Sequence, residues 1–381
     1  MLTTLATDNR PPLIDVGNSG TTLYLTTALA AHRAGGVCFD GDASIRRRSA
    51  GPLLKALHAL GVVVTAPEST PRAITPPENA PPNNLPKIPE HAPYCVRGPF
   101  RPGQQITVAS PTSQFLSALL LAAPLIPGDR SGNSATTISV SLLNERPYVD
   151  MTCWWLDQQE IAYERDGYER FVIPSGATYR PFDTTLPGDY SSATFWFAAA
   201  AITTSGVTVQ GLDATDLQGD RAVLDILKTL GCEVTWSDSP AVTVRGPIRT
   251  GGRFDLNAIP DALPALAVVA CYAPQSVTLY NVPQARDKET DRIAVMAREL
   301  GRLGGRVREL SDGLEIQPSR ITGGAVDSHG DHRVAMALAC AALGAEQPVH
   351  ITDAAAADVT YPAFFSDLAL LAPAAFNSEE R

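Results

Sequence analysis

Along this chain short β-type apolar runs give way to small polar turns, and each turn leads into a stretch of helix length that is apolar on nearly every side. The turn Gly17-Asn18-Ser19-Gly20-Thr21-Thr22 leads into residues 23–31, and Ser110-Pro111-Thr112-Ser113-Gln114 leads into 115–123. Pro187-Gly188-Asp189-Tyr190-Ser191-Ser192 opens 193–202, Ile259-Pro260-Asp261-Ala262 opens a segment ending at Cys271, and His329-Gly330-Asp331-His332-Arg333 opens 334–343. A helix that is apolar all round is expected inside the protein. Apart from the first interval, the starts lie roughly 70 to 80 residues apart, the signature of an internal repeat.

Between these segments the pattern predicts a second, amphipathic helix and then short strands. Residues 52–60 precede Val62-Val63-Val64, 148–158 precede Phe171-Val172-Ile173, and 221–230 precede Glu233-Val234-Thr235-Trp236 and Ala241-Val242-Thr243-Val244. Each unit reads as strand, buried helix, strand, amphipathic helix and closing hairpin. The fold class is therefore α/β (α+β), with helices inside and sheets outermost. The long first interval is filled by residues 67–99, which carry Pro67, Pro71, Pro76, Pro77, Pro81, Pro82, Pro86, Pro89 and Pro93 and read as a surface loop. Two lobes are expected, 1–186 and 187–381, with a frayed tail after Leu371.

One polar stretch stands out in a chain that is only 18% charged: Asp287-Lys288-Glu289-Thr290-Asp291-Arg292. On a helix beginning near it, Lys288 and Arg292 share a face four residues apart and Glu289 points about a quarter turn away. Such a face offers two cations to a phosphate or carboxylate, with a carboxylate beside them for proton transfer. Read alone, the stretch is equally a solvated first turn whose acids suit the helix dipole.

Composition narrows the partners. The 381 residues carry a net charge of -10, with a pI near 5.1, which argues against nucleic acid, whose backbone needs a broad basic face. Hydrophobic residues make up 44%, mean hydropathy is -0.01, no run is long enough to span a bilayer, and the first residues carry no secretion signal. A cytoplasmic location is the expectation. The six cysteines (Cys38, Cys95, Cys153, Cys232, Cys271, Cys340) are scattered without a CxxC, so core thiols are expected in place of disulfides or zinc ligands.

The segments GNSGTT, TSQFLSALLLAAP, ERPYVDMT, PGDYSSATFWFAAAAI, IPDALPALAVVA, DKETDR and GDHRVAMA, in this order, resemble the landmarks of the 5-enolpyruvylshikimate-3-phosphate synthase family. The resemblance runs from about Asp15 to Leu371. It implies a two-domain fold of βαβαββ units closing over a cleft where phosphoenolpyruvate and shikimate 3-phosphate meet, without metal or organic cofactor. It implies that Thr112, Ser113 and Gln114 hold the shikimate phosphate, with Tyr148, Gln284, Asp261 and Lys288 as further contacts. Gly20, Arg48, Arg292 and Arg333 match the phosphoenolpyruvate site. Asp261, Glu289 and Lys288 are the catalytic candidates, and Asp261 and Glu289 would share the proton traffic between the attacking 5-hydroxyl and the enolpyruvyl methylene. Bland roles exist for several of these: Asp261 and Thr112-Ser113 also suit N-caps, the run Arg46-Arg47-Arg48 a solvated turn, and His332 a structural hydrogen bond.

The chain also departs from the family pattern. A Lys-Ser…Arg segment that opens family members has no counterpart, so the first lobe is expected to hold two units, and the chain to be a monomer unless another chain covers the gap. Tyr24 stands where many members have arginine, Glu145 where a serine would cap the shikimate phosphate, Gln284 where asparagine is usual, and Val359 where a late lysine binds phosphoenolpyruvate. These changes leave two other readings open: a truncated or non-catalytic relative, and an enolpyruvyl transferase acting on another acceptor.

Overall fold

The structure of the chain, a computed structural model, describes residues 11–67, 88–128, 134–203, 205–238 and 240–374. It divides into two compact units, Met1–Phe182 and Asp183–Arg381, so the division falls after Phe182 and the sequence boundary after residue 186.

The first unit contains one arrangement twice. Strand Leu13–Asp15, helix Gly20–Ala30, strand Val37–Asp40, helix Gly51–Ala59 and the strands Val63–Thr65 and Tyr94–Arg97 follow one another in the chain. The first two strands pair in parallel, Tyr94–Arg97 closes on Val37–Asp40 antiparallel, and Val63–Thr65 forms the far edge. Strands Gln105–Ser110, Thr136–Leu143, Glu164–Asp166 and Arg170–Ile173, with helices Ser113–Ala122 and Arg146–Gln158, repeat that order and sense. A parallel pair requires a crossover, and here the apolar helix supplies it.

In the second unit Gly252–Asp255, Leu263–Cys271, Val277–Tyr280, Arg292–Arg302, Arg306–Leu310 and Gly313–Gln317 make a complete copy. Helices Tyr190–Thr203 and Val223–Thr229 with strands Gly206–Gln210, Glu233–Trp236 and Ala241–Arg245 form a copy without an initial strand among the described residues. Gly324–Asp327, His332–Ala342 and Val349–Thr352 form a shortened one, two parallel strands joined by a helix. The expected burial pattern follows. Every residue of Leu263–Cys271 is buried, as is nearly all of Ser113–Ala122, whereas Arg292–Arg302 buries Ile293, Val295, Met296 and Leu300 and turns Arg298 and Arg302 outward.

Two sequence expectations are corrected. Most of the proline-rich stretch, 68–87, lies outside the described residues, as do 1–10 and the tail beyond 374. The end of that stretch is not a loop: just past Pro93, Tyr94–Arg97 is an interior strand with Tyr94 fully buried. Proline rules out a ladder only where it stands, and the four residues after it are free to pair. Cys38 and Cys95 are not free thiols but form a disulfide, because the antiparallel register sets them directly opposite each other. Cys153, Cys232, Cys271 and Cys340 are buried free thiols, as expected. No helix among the described residues is long and apolar enough to cross a membrane.

The amphipathic helix of the second unit's complete copy is fastened by a buried acid. The Glu299 side chain is 0% exposed and accepts from Arg298 Nε at 2.9 Å, Arg302 Nη1 at 2.9 Å, His329 Nε2 at 2.9 Å and the Asp327 amide at 3.2 Å. Burial alone would raise its pKa, but His329, Arg298, Asp327 and Arg302 together hold it below the usual glutamate value. A depressed folded pKa means stabilisation that is present above the unfolded value and is lost as pH falls through the folded one. Glu299→Gln should lower unfolding stability at pH 7 by about 2 kcal/mol and flatten the stability profile below pH ~5, which urea titrations at several pH values will check. An unchanged profile contradicts the role given to Glu299.

Candidate active site

In the first unit the candidate residues gather at the starts of two helices. Ser19 caps Gly20–Ala30 and accepts from the Thr22 amide, so the backbone at Gly20 forms the helix tip. A Cβ added at Gly20 would lie 3.0 Å from Arg48 Nη1 and 3.7 Å from Gln114 Oε1, so glycine is what lets the guanidinium and the carboxamide approach this tip. Arg48 Nη2 donates to Ser44 Oγ at 3.0 Å and to Asn18 Oδ1 at 3.4 Å, while Asn18 Nδ2 donates to Asp42 at 2.6 Å. Gln114 Nε2 donates to Thr21 Oγ1 at 2.7 Å, tying the two helix starts together. Thr112 is the N-cap of Ser113–Ala122, and Tyr148 lies half-buried in the first turn of Arg146–Gln158.

Glu145 is a surprise at this position. It precedes helix Arg146–Gln158 with φ 59°, the left-handed region that a residue with a Cβ occupies at a cost of about 1–2 kcal/mol, and its side chain is nearly buried. Its carboxylate accepts from Thr112 Oγ1 at 3.1 Å, the Ser113 amide at 3.0 Å and Ser113 Oγ at 2.9 Å. Tyr24, where many family members have arginine, is buried with its ring edge-on to Phe115, centroids 4.9 Å apart. Hydroxyl and amide donors of the kind an anion takes are therefore gathered at this helix start, and one of the chain's own carboxylates sits on them.

In the second unit the charges converge on Asp261 and Arg292. The Arg292 side chain is 1% exposed; Nη1 donates to Asp261 Oδ1 at 2.7 Å, Nε to Asp331 Oδ2 at 2.8 Å, and Nη2 to Glu289. Lys288 Nζ lies 3.7 Å from Asp261 Oδ1, and Arg333 Nη2 lies 3.3 Å from Asp261 Oδ2 and 3.1 Å from Ser191 Oγ. Burial would raise the Asp261 pKa, but Arg333, Lys288 and Arg292 outweigh it and hold the carboxyl well below the usual range. Against burial, Asp331, Glu289 and Asp261 push the Arg292 pKa up, and Asp261, Asp220 and Asp189 push that of Arg333 up, so both stay charged. Asp331 caps helix His332–Ala342 by accepting from the Arg333 and Val334 amides.

His332 departs from the expected structural hydrogen bond: its Nδ1 is buried with no hydrogen-bond partner among the described residues. Burial and the neighbouring Arg292 and Arg333 push its pKa down to about 4, so it is a neutral ring at pH 7. Gln284 donates through Nε2 to the Asn257 carbonyl at 2.9 Å, and its Oε1 is a buried acceptor with no partner among the described residues. Val359, at the end of the turn Ala354–Val359, is exposed.

The helix geometry read from DKETDR needs correction. Pro283–Asp287 is a 3-10 turn, helix Arg292–Arg302 starts only at Arg292, and Asp291 caps it by accepting from the Ala294 amide at 3.0 Å. Lys288 and Glu289 precede the helix, so they meet Arg292 through shared carboxylate bonding and not through a common helix face. Arg292 itself is spoken for by three carboxylates, a role beyond that of an exposed ligand cation. Sequence reading missed Asp331 and Ser191 as members of this cluster, although both stand in helix-opening motifs singled out from the pattern. It also missed Asn18 and Ser44, which only the fold brings to Arg48. Among the described residues no group of three His, Cys, Asp or Glu side chains is placed to hold a metal ion.

Comparison with known proteins places this geometry in context. The sequence profile of EPSP synthase (3-phosphoshikimate 1-carboxyvinyltransferase) matches residues 4–76 and 87–368. A 3-phosphoshikimate 1-carboxyvinyltransferase of Acetivibrio thermocellus is 44% identical over 356 residues, covering 93% of this chain and 78% of that relative. Those of Ruminiclostridium cellulolyticum and Methanocella arvoryzae are 43% and 38% identical, over 92% and 94% of this chain and 77% and 79% of theirs. The fold is like that of EPSP synthase from Acinetobacter baumannii, with a TM-score of 0.71 at 23% identity over 95% of this chain and 79% of that one. On this profile match and these relatives, the chain belongs to the EPSP synthase (3-phosphoshikimate 1-carboxyvinyltransferase) family.

Proposed function

We propose that the chain transfers the enolpyruvyl group of phosphoenolpyruvate to the 5-hydroxyl of shikimate 3-phosphate, releasing inorganic phosphate. The observation that carries this reading is the family match along nearly the whole chain. The site geometry supports it, since both substrates are polyanions and the candidate residues are helix tips, guanidinium groups and an ammonium.

In the first unit Gly20 and Arg48 receive phosphoenolpyruvate, and Thr112, Ser113, Gln114 and Tyr148 receive the phosphorylated acceptor. In the second, Arg333 stabilises the phosphate of phosphoenolpyruvate as it departs, Arg292 holds Asp261 and Glu289 in position, and Lys288, Gln284 and Asp261 contact the acceptor. Gln284 Oε1, which has no partner among the described residues, is suited to accept from an acceptor hydroxyl. Asp261, ionised at neutral pH, takes the hydrogen of the attacking 5-hydroxyl. Glu289, which shares Arg292 with it, takes a proton from water and passes it to the methylene carbon. The tetrahedral adduct then expels phosphate as the Glu289 carboxylate takes a proton back from the new methyl group, which regenerates the double bond.

Purified chain mixed with both substrates should release one phosphate per enolpyruvyl ether formed, followed by coupled phosphate assay and mass spectrometry; no product with either substrate omitted is the control. Failure to turn over at any substrate concentration removes the reading. Arg333→Met should lower kcat/KM for phosphoenolpyruvate about 10- to 100-fold, the loss of one charged hydrogen bond. Gly20→Ala forces the Arg48 guanidinium aside by a few tenths of an ångström and should raise the KM for phosphoenolpyruvate more than that for the acceptor. Equal effects on both constants contradict the placement of Arg48. Asp261→Asn removes the proposed proton acceptor, which its neighbouring cations keep ionised, and should lower kcat about 10²-fold or more. In the wild type, the acid limb of the pH profile above pH ~4 should then belong to another group.

A further inference from the structure

The first unit offers its donors to an anion and has already filled the place. Thr112 Oγ1, the Ser113 amide and Ser113 Oγ, all at the start of helix Ser113–Ala122, end within 2.9–3.1 Å of one atom, Glu145 Oε2. The Glu145 side chain is 3% exposed, so this is a desolvated carboxylate seated at a helix N-terminus and not a surface acid swinging nearby. Three donors on one oxygen, with the partial positive charge of the helix tip behind them, is what a phosphate oxygen also requires. A dianion and a carboxylate cannot share that seat, because their like charges meet at contact distance. Arg146, the cation next in the chain, lies over the Tyr168 ring, 5.0 Å from guanidinium carbon to centroid.

We propose that Glu145 is an acceptor-specificity residue: its carboxylate competes from within the chain for the donors of Thr112 and Ser113 and thereby sets how strongly this unit selects for a phosphate on the acceptor. The proposal rests on the preceding functional reading only in naming shikimate 3-phosphate as that acceptor. The competition itself is a property of the first unit. A phosphorylated ligand enters when Glu145 leaves the seat, and an acceptor bearing a hydroxyl at that end binds with Glu145 in place as its hydrogen-bond acceptor.

The test is titration calorimetry on the full chain as wild type, Glu145→Ser and Glu145→Gln, with inorganic phosphate, shikimate 3-phosphate and unphosphorylated shikimate as separate ligands. Glu145→Ser is expected to lower the Kd for inorganic phosphate and for shikimate 3-phosphate by about tenfold or more, while that for shikimate stays within about twofold. Glu145→Gln keeps the size of the side chain and an oxygen for the Ser113 amide, so it guards against a folding defect in the serine variant, and its shift should lie between the other two. A role confined to holding the helix start would lower the melting temperature and leave the ratio of shikimate 3-phosphate to shikimate affinities unmoved, which overturns the proposal. So does tighter inorganic phosphate with unchanged shikimate 3-phosphate. Wild-type turnover is measured separately, so loss of the activity reading is distinguished from loss of this one.

Discussion

The guanidinium of Arg292 is the interaction on which the second unit's candidate site depends. It is almost completely removed from water, and such a charge persists only if its hydrogen-bonding edge is fully answered by carboxylates. Asp261, Asp331 and Glu289 answer it, and they come from three places in the chain: the turn before helix Leu263–Cys271, the cap of helix His332–Ala342 and the segment before helix Arg292–Arg302. One buried cation thus fixes three helix starts relative to one another within this unit. Removing one carboxylate would leave part of that buried guanidinium edge unanswered, a penalty bounded by the about 3–5 kcal/mol of a broken buried pair.

That constraint decides which cations can respond to a ligand. Lys288, Arg292 and Arg333 face Asp261, Glu289 and Asp331, so positive and negative groups are nearly balanced before any substrate arrives. Binding of a dianion there is a matter of exchange, in which a cation turns from a carboxylate to a phosphate oxygen. Lys288 and Arg333, with longer contacts to Asp261 than Arg292 makes, are the ones placed to turn. Selectivity then arises from a difference between two well-satisfied states, and small displacements of Asp261 change it. The neutral His332 beside these arginines adds no further charge at pH 7, which keeps the balance independent of pH through the neutral range.

How much of this was legible in the sequence follows from which interactions are local. The repeated turn-then-apolar-helix pattern depends on periodicity and caps, and it yields the buried helices, their starts and the order of strands. The spacing of Lys288 and Glu289 fits a helix, but the cap at Asp291 starts the helix later, and only the capping bond to the Ala294 amide reveals it. The pairing of Cys38 with Cys95 depends on the register between strands 57 residues apart in the chain, which no local pattern encodes. Arg292 has the sequence signature of a ligand cation but is buried, because two of its three partners, Asp261 and Asp331, lie 31 and 39 residues away in the chain and only Glu289 is local. Gly20 was read correctly as part of a helix-tip turn, yet the reason glycine is needed there, the approach of Arg48 and Gln114, is a tertiary fact.

The two units therefore solve the same electrostatic problem in different ways. In the second, cations are held by carboxylates that remain in place and are shared with whatever binds. In the first, the donors at Ser113 are neutral N–H and O–H groups, and the group that satisfies them is a single side chain of the neighbouring helix start. Neutral donors lose nothing by changing partner, so the cost of admitting an anion there is set almost wholly by what happens to Glu145 when it is expelled. Its left-handed backbone, unusual for a residue with a Cβ, is retained while those three bonds hold it, and an expelled carboxylate gains hydration as it gives them up. The outcome turns on that exchange of desolvation for hydration at one residue.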